Sequence, residues 1–279
     1  MSTRKDIRRV GVIGLGKMGN PIARHVKAAG FDVVGYDVAE SAMALARGAG
    51  ISTAPSVKDV AAKADFIIVL VGFDREVEQV LFGPGGIVGA AKPGTVIGVG
   101  STIAPRTMEK LSERVAGTGL ELLDIPLCRG EQAAEDGKLL VMGGGNADTF
   151  AACKPVLSAF SNSVFYIGRT GAGQVGKMVN NQILWACISI NHEGLKLAEK
   201  LGVSPDALRP ALVASSSNNW ALETGAENRP VPWAEKDMTI VLKEADRARI
   251  SLPLSGALKE VIKGIKIERS LPTPVDPDA

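Results

Sequence analysis

The sequence predicts an α/β, doubly wound domain followed by an all-α domain, with a long helix between them. Three observations carry this. Through about residue 168, short runs rich in Val, Ile and Leu alternate with amphipathic helical stretches. The first apolar run passes through a glycine-rich turn into a helix. From Gln174 the pattern is helical for about seven turns, and no strand-like run follows it. The expected domains are residues 1–168 and 169–279.

Strands are expected at residues 10–14, 31–36, 66–71, 96–100, 120–125, 139–142 and 164–167. Most show little alternation between apolar and polar positions, as strands covered by helices on both faces do. Between them, 22–29 and 57–62 read as helices, and Ser56 is the candidate N-cap of the second. After the long helix at 174–201, further helices are expected at 205–213, 236–249 and 253–267. The tail beyond Arg269 carries three prolines and is expected to be irregular.

Composition excludes several classes. The 279 residues are 46% hydrophobic, enough for one large core or two smaller ones. Basic and acidic residues number 32 and 30, so no nucleic-acid partner is implied. Arg4, Lys5, Arg8 and Arg9 flank the first strand and read as solvated. The longest apolar run, 66–71, is of strand length, so neither a membrane span nor a leader is expected. Three cysteines without metal-like spacing and two histidines make a metal site improbable and favour a reducing, cytoplasmic setting.

The glycine-rich turn reads Gly14-Leu15-Gly16-Lys17-Met18-Gly19. In a strand–turn–helix setting, Gly14 permits the tight turn. Gly16 lets the backbone approach a pyrophosphate, and Gly19 lets the helix lie against the strand. Asp37 ends the second strand, where a carboxylate accepts hydrogen bonds from an adenosine ribose and repels a 2′-phosphate. The setting is that of a Rossmann domain binding NAD in preference to NADP; the alternative is an ordinary βαβ turn with a surface aspartate.

At the start of the long helix, Lys177 and Asn181 lie one turn apart on one face, with Gln174 beside them. By spacing alone Lys177 is a solvated helix lysine, as most are. The chemical reading is an amine that exchanges the proton of a substrate hydroxyl, which requires partial burial.

Taken together these residues resemble the β-hydroxyacid dehydrogenase family, which includes the 3-hydroxyisobutyrate dehydrogenases. The likeness spans nearly the whole chain. Gly14-Leu15-Gly16-Lys17-Met18-Gly19-Asn20-Pro21 is similar to the family's cofactor fingerprint, and Ser101-Thr102 before Pro105 to its S-T pair. Asp124-Ile125-Pro126 through Gly143-Gly144 resembles its substrate segment. Gly171-x-Gly173-x-x-x-Lys177-x-x-Asn180-Asn181 resembles its catalytic helix, and Lys236-Asp237 its late K-D pair. The resemblance implies that Lys177 is the general acid/base and that Asn181 orients it or the substrate. It implies that Val71, Gly72, Thr102 and Lys236 line the cofactor site. Ser101, Cys128, Arg129 and Gly130 would face a small anionic substrate. It further implies a homodimer or homotetramer assembled through the helical domain.

The substrate segment departs from the family's D-A-P-V-S-G-G: Cys128 stands for the serine and Arg129 for the first glycine. Arg129 offers a charged donor fork suited to a second anionic group or a sulfonate, as in sulfolactaldehyde reductases. Otherwise it faces solvent or pairs with Glu131 or Glu135. An imine reductase of the same architecture lacks the lysine. A non-catalytic dinucleotide-binding module has no need of it. Ser215–Ser217 with Asn218 and Asn219 read as a helix terminus or a pocket edge, Trp220 and Trp233 as core in preference to a pocket wall, and His192 as a core or interface residue.

Overall fold

The computed structural model describes residues 7–226 and 231–272. Arg4, Lys5 and the last seven residues of the proline-bearing tail lie outside them. The first strands form where the apolar runs predict: β1 (Arg9–Ile13), β2 (Asp32–Tyr36), β4 (Phe66–Val69), β5 (Val96–Val99) and β6 (Glu121–Asp124). In β4 the burial is complete at every position. Phe66 and Ile68 enter one core and Ile67 and Val69 the other, so two-residue periodicity persists although both faces are apolar. Each such side chain contributes about 1.5–3 kcal/mol relative to exposure.

Helices α1 (Gly19–Ala28), α2 (Glu40–Gly48), α3 (Val57–Ala61), α4 (Asp74–Phe82) and α5 (Pro105–Val115) cross between these strands. Ser56 caps α3 as expected, its side chain accepting the Asp59 N–H. Two-residue strands β3 (Ser52–Thr53) and β7 (Leu127–Cys128) are too short to leave a hydrophobic period and were not foreseen. The remaining elements of the sheet region are α6 (Gly130–Glu135), β8 (Leu139–Gly144), α7 (Ala147–Phe160) and β9 (Ser161–Gly168).

The sheet order is β3-β2-β1-β4-β5-β6-β8-β7, with β9 also on β8. Pairing is parallel from β3 to β6, the doubly wound order in which ligands bind beyond the strand C-termini at the β1/β4 reversal. It turns antiparallel where Asp124 of β6 meets Gly144 of β8, which makes the sheet mixed.

Helix α8 (Ala172–Lys200) is followed by α9 (Pro205–Val213), α10 (Trp220–Thr224), α11 (Ala234–Ala248) and α12 (Pro253–Glu268). The chain divides into two compact units between Lys177 and Met178, inside α8 and later than the sequence boundary at 168. The first turns of α8 belong to the first unit because they pack on its sheet: a Cβ on Gly173 would lie 2.4 Å from the Met142 carbonyl oxygen.

Helices are the only regular elements among the described residues of the second unit. Its core gathers Trp185, Ile188, Met238, Val241, Leu258 and Ile262. Trp220 and Trp233, expected in the core, are 41% and 48% exposed; Trp185 takes that place instead. Asn219 is the N-cap of α10, accepting the Leu222 N–H, so the polar run at 215–219 ends in an ordinary cap. His192 sits between Glu268 and Arg269 of α12, a contact inside the helical unit. Lys266 and Glu235 form a buried ion pair. No helix among the described residues is long and apolar enough to cross a membrane.

Candidate active site

In the first unit, the turn after β1 is built by its glycines. Gly14 has φ +92°, and a Cβ there would lie 2.1 Å from the Leu70 carbonyl oxygen. A Cβ on Gly19 would lie 1.8 Å from the Gly14 carbonyl oxygen, so the start of α1 rests directly on the turn. Gly16 differs: it is exposed, and nothing lies within 4 Å of its Cβ position. The N-terminus of α1 has no side-chain cap. The Asn20 N–H already donates to the Gly16 carbonyl oxygen at 3.1 Å, and Pro21 has no N–H. An anion there is favoured by the helix dipole and the open turn rather than by a full set of first-turn N–H groups. Open space at Gly16 beside an uncapped helix N-terminus fits a dinucleotide pyrophosphate.

Asp37, just beyond β2, accepts the Leu15 N–H at 2.6 Å and the Ala39 N–H at 2.8 Å, one on each carboxylate oxygen. It ties the glycine turn to β2, and the remaining lone pairs fit ribose hydroxyls. Lys17 is exposed and pairs with Glu131 at 3.2 Å; Met18 is half-buried. An exposed pair of this kind adds little stability.

At the end of β4, the Val71 N–H donates to Ser101 Oγ at 2.8 Å and the Gly72 N–H to Glu76 Oε2 at 2.7 Å. Ser101 is therefore a tie between the ends of β4 and β5. It is buried with its hydroxyl engaged, in contrast to the substrate contact expected of it. Thr102, next to it, is half-buried.

Cys128 is buried at the end of β7, and Lys177 Nζ lies 3.8 Å from its Sγ. Lys177 itself is half-buried, not the solvated lysine that spacing alone suggests. Asp124, at the end of β6, is fully buried and accepts the N–H groups of Gly171 and Gln174 at 2.9 and 3.0 Å. Burial pushes its pKa up, against the lowering effect of those backbone hydrogen bonds.

Arg129 has φ +86°, the left-handed region that glycine enters freely and that costs an L-residue about 1–2 kcal/mol. Gly130 follows it with φ +80°. The Arg129 guanidinium donates to the Lys138 carbonyl oxygen at 3.0 Å, to Asn162 Oδ1 and to Ser163 Oγ at 3.0 Å. Arg129 is exposed, as the solvent-facing reading has it, but its partners are not Glu131 or Glu135. The donor fork is taken up by Lys138, just before β8, and by β9, while Glu131 pairs with Lys17 and Glu135 with Arg24.

In the second unit, Asn181 is buried. Its Nδ2 donates to Asp237 Oδ2 at 2.8 Å, and its Oδ1 accepts from Asn180 Nδ2 at 3.0 Å. The same Asp237 oxygen accepts the Trp185 indole N–H at 2.9 Å. Lys236 Nζ stands 5.6 Å from the Trp233 ring centroid. Asp237 and Gln174 are the residues whose weight sequence reasoning missed, since nothing local to either one announces its distant partners.

A doubly wound sheet with a glycine turn open to a pyrophosphate defines a dinucleotide-binding domain. Comparison with known proteins agrees. Residues 9–168 match the family model for the NAD binding domain of 6-phosphogluconate dehydrogenase. Residues 171–270 match that described as NAD-binding of NADP-dependent 3-hydroxyisobutyrate dehydrogenase. The 2-(hydroxymethyl)glutarate dehydrogenase of Eubacterium barkeri is 30% identical over 266 residues, 92% of this chain and 88% of that one. The L-threonate dehydrogenase of Cupriavidus necator is 31% identical over 264 residues, 91% and 89% of the two chains. The solved structure of Mycobacterium tuberculosis 3-hydroxyisobutyrate dehydrogenase with L-serine superposes with a TM-score of 0.84 at 25% identity, covering 94% of each chain. The chain belongs to the β-hydroxyacid dehydrogenase family, and it is a dehydrogenase acting on CH–OH groups.

Proposed function

We propose that the protein interconverts a small 3-hydroxy acid and its semialdehyde or keto form, with Lys177 as general acid/base. The observation that carries this is the half-buried Lys177 amine, 3.8 Å from Cys128 in the segment that resembles the family's substrate site. The named relatives act on hydroxymethylglutarate and threonate, both small hydroxy acids.

NAD, when bound, supplies the hydride acceptor for oxidation and the donor for reduction. Residues Gly14, Leu15, Gly16, Lys17, Met18 and Gly19 would hold its pyrophosphate, and Asp37 its adenosine ribose. Val71, Gly72, Thr102 and Lys236 belong toward the nicotinamide end. A carboxylate at Asp37 opposes a 2′-phosphate, which supports NAD over NADP. In oxidation Lys177 takes the hydroxyl proton, and in reduction it returns one. Cys128 and Gly130 border the substrate, and its anionic end balances the lysine charge. Asn181, one helical turn from Lys177 and held by Asp237, orients the reacting hydroxyl.

We place the protein in the cytoplasm, because its three cysteines, odd in number and without metal-like spacing, suit a reducing compartment. We further infer a homo-oligomer formed through the helical unit. Ile183, Ile190 and Leu197 recur every seven residues along α8, with Leu201 a turn further, and all four are exposed. Light scattering after gel filtration tests this, and a monomer at micromolar concentration refutes it.

The test of the reaction follows nicotinamide absorbance with 3-hydroxyisobutyrate, L-threonate, L-serine and dicarboxylate analogues. NAD and NADP are run side by side. Turnover that prefers NAD and is lost in Lys177→Ala is the expected result. Turnover that survives in Lys177→Ala removes the lysine from the mechanism.

A further inference from the structure

We propose that Gln174 is a positioning residue that sets Lys177 against the Ser101–Thr102 turn; this rests on Lys177 being the acid/base. Gln174 is fully buried, although glutamine is rarely found so. Its amide joins the start of α8 to the stretch 101–103 that follows β5. Nε2 donates to the Ser101 carbonyl oxygen at 2.8 Å, and Oε1 accepts the Ile103 N–H at 3.2 Å. The residues on either side of Thr102 are thus both fastened to one side chain at the start of α8.

The Gln174 backbone is fastened as well. Its N–H and that of Gly171 are held by the two oxygens of Asp124, a buried carboxylate on β6. Glycines let this contact close. A Cβ on Gly173 would lie 2.8 Å from Asp124 Oδ2, and one on Gly144 would lie 2.6 Å from the same carboxylate. Lys177 follows Gln174 by three residues, less than one helical turn. Any slip of the first turn therefore moves the amine directly.

A buried amide serving only as packing has a cheaper substitute in an apolar side chain of equal length. Gln174 instead matches one donor and one acceptor to two backbone groups that flank the residue expected at the nicotinamide end. It gives the turn and the lysine a single frame, so that cofactor and proton acceptor keep a constant separation during the reaction.

The experiment compares wild type with Gln174→Met, Gln174→Glu and Lys177→Ala. Kinetics are measured with the best substrate of the panel above. A second readout needs no substrate: the rate at which acetic anhydride acetylates Lys177, relative to the remote Lys58, read by peptide mass spectrometry. Gln174→Met is expected to bind NADH stoichiometrically and to lose at least tenfold in kcat. Its KM for NAD should stay within threefold of wild type, and Lys177 acetylation should rise at least threefold. Gln174→Glu keeps the acceptor and loses the donor. Its kcat relative to wild type should recover as pH falls, because the protonated acid restores the donor.

Wild-type kcat and acetylation in both variants, with only the melting temperature lowered, would overturn the proposal. If Gln174→Met does not fold, the pH recovery of Gln174→Glu decides alone, and a flat ratio counts against the proposal. Lys177→Ala separates the two readings. Activity retained there removes the lysine's role, while activity lost there and unchanged in the Gln174 variants removes only the positioning role.

Discussion

Alanine at Gly16 and alanine at Gly19 should have opposite signatures, although both glycines belong to one motif. At Gly19 the new methyl carbon would lie 1.8 Å from the Gly14 carbonyl oxygen. A contact of at least 3.0 Å requires α1 to retreat by more than about 1 Å. Overpacking of this kind costs about 1–3 kcal/mol. The helix propensity gained by replacing glycine is at most about 1 kcal/mol, and less at the first helical residue. The net loss is about 1–2 kcal/mol, a fall in Tm of roughly 3–6 °C for a unit of this size. A helix start displaced by an ångström also weakens the charge-assisted hydrogen bonds to a phosphate, at about 1.5–3 kcal/mol each. NADH affinity should fall roughly ten- to a hundredfold. At Gly16 nothing lies within 4 Å of the Cβ position, so Gly16→Ala should leave Tm within about 1 °C of wild type. Its methyl group instead enters the space assigned to the pyrophosphate, and NADH affinity should fall by tenfold or more. Fluorescence titration with NADH and thermal unfolding of both variants give the four numbers. Wild-type NADH affinity in Gly16→Ala would refute the placement of the pyrophosphate at this turn.

Asp124→Asn tests the buried carboxylate through pH. Because the folded pKa is raised, the folded state binds the Asp124 proton more tightly than the unfolded state. That stabilisation is present in acid and is lost as pH rises from the ordinary carboxylate range through the raised value. Wild type should therefore lose stability relative to Asp124→Asn over this window in urea titrations, and a slope of opposite sign contradicts the desolvation account. Lys266→Met leaves Glu235 as an unpaired buried carboxylate and should cost about 3–5 kcal/mol, read by chemical denaturation; a loss below about 1 kcal/mol means that the pair is hydrated. Asp37→Ala removes the acceptor of the Leu15 and Ala39 N–H groups and the charge opposing a 2′-phosphate. The ratio of kcat/KM for NAD over NADP should fall at least tenfold, and an unchanged ratio places cofactor choice elsewhere.

What could be read from the sequence follows from where each residue's partners lie. Residues 66–69 announce a doubly covered strand because burial on both faces demands apolar side chains at consecutive positions. Gly14 and Gly19 are legible because part of their constraint is local: Gly14 needs a positive φ in the turn itself, and Gly19 meets the carbonyl oxygen of Gly14 five residues before it. Polar residues behave differently. Gln174 meets Ser101 across 73 positions, Asn181 meets Asp237 across 56, and Lys177 meets Cys128 across 49. No local window contains both halves of such a pair, so Lys177 reads as solvated until β7 is placed beside it. Arg129 shows the converse. Its charge suggests an anion, yet its left-handed backbone and its acceptors on Lys138 and β9, which no local pattern announces, also make it a brace in a position that glycine fills more easily. A strained, charged residue kept there must return in hydrogen bonds what it costs in backbone energy. On that reasoning Arg129→Gly should relax the turn after β7 but free it from Lys138 and β9. If Arg129 acts only as this brace, KM for the best substrate should stay within about threefold of wild type while Tm changes, and a KM raised about tenfold or more would give the guanidinium a part in substrate binding.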